Sequence, residues 1–99
     1  MQLIRVFEKQ SGLIRLILFL DEKGEYLLSK IWVDAGISIN QGYRSIEKAK
    51  QLGLVEQRVE SSSYPPRNLI SLTDKGKKVA KKLEDIEDIL TSDRVEKSI

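Results

Sequence analysis

The sequence predicts a small, mainly α-helical domain carrying one β-hairpin, an α+β fold. Three observations predict it. Several segments repeat apolar residues with the 3.6-residue period of a helix, the period changes to two between Leu54 and Leu72, and the alternating stretch is interrupted by SSSYPP. At 99 residues the chain suits a single domain, and a core that small gains from oligomerisation. We expect the domain to span residues 1–90, with 91–99 an acidic tail that frays.

The opening MQLIRVFEKQ places Leu3, Ile4 and Phe7 on a helical stripe, and Ile4 to Phe7 fits a short strand equally well. Ser11 offers an N-cap for GLIRLILFLDEK, which is apolar on more than one face. Such a helix is covered on two sides, the second cover coming from a partner subunit or a packed N-terminal segment. Gly24 ends it, and Glu25-Tyr26-Leu27 is long enough only for an edge strand or an extended link. In LLSKIWVDAG, Leu28, Ile31, Trp32 and Ala35 fall at i, i+3, i+4 and i+7, a short second helix stopped at Gly36. Ser38 caps a third helix reaching Gly53. On a 100° wheel, Ile39, Gly42, Ile46 and Ala49 share an apolar face. Asn40, Gln41, Arg44, Lys48 and Gln51 occupy the other face, with Tyr43 on the boundary. Strands follow in LVEQRVE and RNLISL, with Pro65-Pro66 stiffening one side of the hairpin. Thr73 caps a last helix in which Val79, Leu83, Ile86 and Leu90 repeat at 4, 3 and 4.

Composition narrows the chemistry. With no cysteine and no histidine, the chain lacks disulfides, thiolate nucleophiles, most zinc and iron ligands and the usual neutral-pH proton shuttle. There is no Gly-rich phosphate loop. Asp85 and Asp88 share a face, as carboxylates do on most acidic helices, and suggest no metal. We therefore expect neither an enzyme nor a cofactor. The longest apolar run, LIRLILFL, is interrupted by Arg15 and falls far short of the ~20 residues of a spanning helix, so a soluble, cytoplasmic protein with no membrane partner is expected. The net charge of +2 is unevenly spread: residues 1–39 are balanced, residues 40–82 hold ten basic and four acidic groups, and residues 83–99 hold two and six. A basic middle beside an acidic tail points to a localised anionic partner.

The order is helix, edge strand, helix, corner, helix, two-stranded hairpin, helix. Two helices joined by a short corner containing glycine, followed at once by a hairpin, make a winged helix-turn-helix. Two stretches, SKIWVDAGISINQGYRSIEKAKQLGLVEQ and NLISLTDKGKKVAKKL, resemble the winged helix-turn-helix regulators of the MarR and PadR kind, the second through its leucine, threonine, any residue, lysine, glycine run. With the intervening wing they cover about residues 28–83. The resemblance implies a transcriptional regulator, often a repressor, that binds double-stranded DNA as a homodimer. Members that release DNA on binding a small molecule do so at the dimer interface. This chain lacks the extended terminal helices that usually build such a cavity, which argues against an effector.

A helix pinned by one face can lay the other in the major groove. Ser38, Asn40, Gln41, Tyr43, Arg44 and Lys48 are the expected contacts. Asn40 and Gln41 suit the adenine edge, Arg44 suits guanine, and Lys48 suits phosphate. Arg58, Tyr64 and Arg67 surround the wing tip, where an arginine can enter the minor groove, and Arg67 is favoured because the prolines restrict its aim. The lysines from Lys75 to Lys82 read as a solubilising surface. For the dimer interface we expect Leu13, Leu16 and Leu20 on the first helix and Ile86, Ile89 and Leu90 on the last. A non-specific architectural or partition DNA-binding protein, or a winged helix used for protein contact, is the alternative. Gly42 is also notable. On its face helix-turn-helix proteins usually carry a branched aliphatic residue opposite a small one, and here the opposite position is Trp32, as if large and small were exchanged.

Overall fold

The structure, a computed structural model, describes residues 12–62 and 64–97. The expectations for Leu3, Ile4, Phe7 and the Ser11 cap lie outside them. The elements are α1 (Leu13–Lys23), β1 (Tyr26–Leu27), α2 (Leu28–Ala35), α3 (Ile39–Gln51), β2 (Val55–Glu60), β3 (Arg67–Leu72) and α4 (Asp74–Lys97). The three strands form one antiparallel sheet in the order β1-β3-β2. Among the described residues, no helix is long and apolar enough to cross a membrane.

α1 lies at the centre. It packs against α3, α4 and β3, and its Leu13, Leu16, Ile17 and Leu20 are 0–2% exposed. This corrects the expectation that Leu13, Leu16 and Leu20 meet a partner. The chain's own helices supply both covers, so these leucines face the domain's interior. Ile31, Trp32, Ile37, Ile46, Ala49, Leu54, Val55, Ile70, Leu72 and Ala80 complete the core.

The corner between α2 and α3 is tied by short contacts. Gly36 follows α2, the Ile37 amide donates to the Trp32 carbonyl at 2.9 Å, and the Arg15 guanidinium of α1 donates to the Gly36 carbonyl at 2.8 Å. The Ser38 hydroxyl accepts from the Gln41 amide at 3.3 Å, the expected cap of α3. Gly42, Ser45, Ile46 and Ala49 form the buried face of α3. Ile39 does not belong to it. It shares their wheel angle, yet it is 59% exposed, because side chains on a helix lean toward the N-terminus and Ile39, in the first turn, leans past the packed core. Ser45, completely buried, was not part of the expected face. α3 ends at Gln51 rather than Gly53.

Trp32 fills the space beside Gly42, as the large-for-small exchange predicts. A Cβ at Gly42 would lie 2.6 Å from Trp32 Cζ3, 2.8 Å from Cδ2 and closer still to Cε3. Glycine inside a helix costs roughly 0.5–1 kcal/mol relative to Ala, and here it admits an indole that is only 5% exposed.

Thr73 joins the end of α3 to the start of α4. Its hydroxyl donates to the Gly53 carbonyl at 2.6 Å and accepts from the Gly76 amide at 3.0 Å, while its amide donates to the Leu54 carbonyl at 2.9 Å. Gly76 is required by the same contact: a Cβ there would overlap the Leu54 carbonyl oxygen. α4 then runs to Lys97, and the Thr91 hydroxyl donates back to the Glu87 carbonyl at 3.0 Å. Val79 and Leu83 pack on the core, whereas Ile86, Ile89 and Leu90 are 52%, 66% and 68% exposed.

Where α4 passes α1, the Glu84 carboxyl meets the Asp21 carboxyl. A hydrogen bond from that pairing, the charge of Asp21, slight desolvation and the charge of Asp88 hold Glu84 above the usual carboxylate range, against a weaker pull from Lys81.

Two outcomes follow from this packing. Gly42→Val should destabilise the domain by about 1–3 kcal/mol in urea unfolding through overpacking, and adding Trp32→Leu should recover part of that loss. A group whose folded pKa is raised favours the fold at low pH and loses that contribution as pH rises through the folded value. Glu84→Gln should therefore raise the melting temperature at pH 7 and leave it unchanged near pH 4, as read by thermal scans.

Candidate nucleic-acid interface

The outward face of α3 displays Asn40, Gln41, Tyr43, Arg44, Glu47 and Gln51, all exposed, with Lys48 half-buried among them. Its aim is fixed from behind. The Trp32 indole sits against Gly42 and also meets the Tyr43 ring, with centroids 5.2 Å apart and planes tilted by 51°. Tyr43 is thus 57% exposed yet held against α2. At the far end, Lys50 donates to Gln57 Oε1 at 2.5 Å and Gln57 Nε2 donates to Asn68 Oδ1 at 3.0 Å, a polar chain from α3 across β2 to β3.

The wing is the β2–β3 hairpin, in register from Val55 opposite Leu72 to Glu60 opposite Arg67. Tyr64 near its tip is 98% exposed. A groove runs between the start of α2, the middle of α3 and the wing, lined by Leu28, Ser29, Tyr43, Tyr64, Pro66 and Arg67 among others. The fold thus brings three of the expected contacts, Tyr43, Tyr64 and Arg67, to one groove, with Ser38, Asn40, Gln41, Arg44 and Lys48 on the adjoining helix.

The two wing arginines are not arranged as the sequence suggests. Arg58 sits inside β2, opposite Leu69, and its guanidinium reaches across β3 to Glu25 with two hydrogen bonds of 2.6 and 2.8 Å. The bond from Arg58 holds Glu25 below the usual carboxylate range, and Glu25 in turn raises Arg58. Arg67 donates from Nε and Nη2 to Glu60 Oε1 at 3.0 and 2.7 Å. Both cations are engaged by carboxylates, Arg67 by Glu60 of β2 and Arg58 by Glu25 just before β1. Arg58 is thereby an anchor of the wing to the residue before β1 and not a tip residue, because the β1-β3-β2 order brings Glu25 within its reach.

Ser29 and Glu47, not singled out in the sequence, line the surface beside these residues. Ser29 lies in the first turn of α2 on the groove. Glu47 stands one turn beyond Tyr43, as an acceptor on a face otherwise rich in donors. The wheel position of Glu47, 100° from Ile46, was a usable signal.

In fold, the chain is similar to the PcaV transcriptional regulator from Streptomyces coelicolor, with a TM-score of 0.72 and 16% identity over 83% of this chain and 57% of that one. It is similar also to MepR, a transcription regulator of the Staphylococcus aureus multidrug efflux pump MepA, with a TM-score of 0.74 and 15% identity over 88% and 64% of the two chains. Streptococcus pneumoniae FabT, solved in complex with DNA, gives 0.73 and 10% over 87% and 59%. PcaV and MepR are MarR-family winged-helix regulators, and this chain has their fold. It spans less than two thirds of the length of each of the three. No protein-family model and no curated protein matches the sequence.

The join between α3 and α4 that steadies this face has a direct check. Thr73→Val should remove the bond to Gly53 and the cap of α4, lowering stability by about 1–2 kcal/mol in urea unfolding, while Thr73→Ser should retain most of it.

Proposed function

We propose that the chain is a sequence-specific, double-stranded DNA-binding transcriptional regulator acting as a homodimer, most simply a repressor or autoregulator. The observation that carries this reading is the fixed polar face of α3: Trp32 and Gly42 pin the helix from behind while Asn40 and Gln41 stand outward with paired donors and acceptors and Arg44 with a fork of donors. FabT, which shares the fold, is solved in complex with DNA.

In this reading α3 enters the major groove. Asn40 and Gln41 pair with adenine edges, Arg44 forks onto guanine O6 and N7, and Ser38, Tyr43 and Lys48 hold phosphates. Tyr64 and Arg67 approach the adjoining minor groove. Arg67 does so by exchanging Glu60 for DNA, which is feasible because a half-exposed ion pair of this kind is worth only about 0–1 kcal/mol. Arg58, held by Glu25 and opposite Leu69, lies further from the tip than Arg67 and is the weaker candidate of the two. The second copy docks along α4 through Ile86, Ile89 and Leu90, whose exposure in one chain leaves an apolar stripe. A two-fold pair then presents its α3 helices about one helical turn, roughly 34 Å, apart.

Selection from random duplexes at physiological salt tests this directly. A recurrent site is expected, and Arg44→Ala should lose about 1–3 kcal/mol on it with relaxed preference at one position. Uniform recovery of all duplexes, with affinity falling steeply with salt, would instead indicate a non-specific architectural protein. No recovery at all would leave the winged helix as a protein-contact module.

A further inference from the structure

Among the exposed residues of α3, one has no hydrogen-bonding group. Ile39 is 59% exposed, occupies the first helical position, and is followed by the exposed Asn40 and Gln41. Neither core packing nor helix propensity accounts for it: the core lies behind Gly42, Ser45, Ile46 and Ala49, and a β-branched side chain gains little in an exposed first turn. The other exposed aliphatic residues of the described chain lie on other elements, Ile14 on α1, Val33 on α2, Val59 on β2 and Ile86, Ile89 and Leu90 on α4.

The first turn of a recognition helix is the part that reaches base edges. In the major groove those edges offer a single apolar group, the C5-methyl of thymine. We infer that Ile39 is a specificity-determining residue that reads a thymine methyl, next to the adenine contacts of Asn40 and Gln41. This inference rests on the DNA reading proposed above. Because an A·T pair displays an amide-matching adenine edge on one strand and a methyl on the other, the three consecutive side chains suit an A·T step within each half-site. Ser38, whose hydroxyl is occupied by the Gln41 amide, fixes the turn from which all three project.

The test uses the full chain and the duplex enriched by random selection. Each thymine in a half-site is replaced in turn by uracil, which removes only the methyl group, and binding is measured for the parent protein and for Ile39→Ala. Since Ile39 is exposed, the variant should keep the parent's circular dichroism and melting temperature. The expected result is a weakening of roughly three- to tenfold for the parent at one thymine per half-site. Ile39→Ala should show a similar weakening on the intact site and no further loss with uracil at that position. An enriched site on which uracil costs the parent nothing, or on which the two losses multiply independently, overturns the role of Ile39 while leaving the DNA reading in place. Failure to enrich any duplex overturns the DNA reading and this role together.

Discussion

The contact between Trp32 and Gly42 sets the geometry on which the rest of the molecule depends. An indole needs a gap, and the gap comes from removing a side chain in the middle of α3, where glycine is otherwise a poor choice. Burying most of a Trp side chain offsets that cost several times over at roughly 25 cal/mol per Å² of apolar surface. The same ring continues outward to Tyr43, so one aromatic group spans from the core to the exposed face of α3. Rotation of α3 about its axis would drive backbone or Tyr43 into the indole. The Arg15 bond to the Gly36 carbonyl and the Ser38 cap then limit tilt at the corner.

Much of this arrangement was legible in the sequence because its signals are local. Ser38 and Thr73 stand where helices begin, Gly24 and Gly36 where they stop, and the change of period at Leu54 marks the sheet. Even the Trp32–Gly42 contact could be read from two unusual sizes at positions that face each other. Misread positions share a different cause. A linear pattern shows how much apolar surface Leu13, Leu16 and Leu20 bring but not who covers it, and α3, α4 and β3 of the same chain do so. A helical wheel has no ends, so it cannot show that Ile39 lies beyond the core. Arg58 pairs with a residue 33 positions away, and only the strand order brings the two together.

The wing illustrates how neutralised charge can look like available charge. Counting residues makes 40–82 the basic part of the chain, yet Arg58 and Arg67 are each matched by a nearby carboxylate, Glu25 and Glu60. The unmatched features of the groove are aromatic and proline surfaces around Tyr64 and Pro66, and the hydroxyl-bearing start of α2 at Ser29. In the proposed DNA reading, affinity at the wing rests more on shape and contact than on cation number. In that reading the charged contribution comes from Arg44 and Lys48 on α3.

Thr73 and Gly76 fasten the root of α4 to the turn that ends α3, and α4 is 24 residues long. At 1.5 Å per residue it is an arm of roughly 36 Å. A swing of about 5° about that root moves its far end by roughly 3 Å, close to the 3.4 Å that separates successive nucleotides on one strand. In the proposed dimer the chain would act as one leg of a pair of calipers, with a stiff pivot at Thr73 and its measuring point on α3. If that pairing and the proposed DNA reading hold, small adjustments in how two such legs are clasped correspond to whole steps along a double helix.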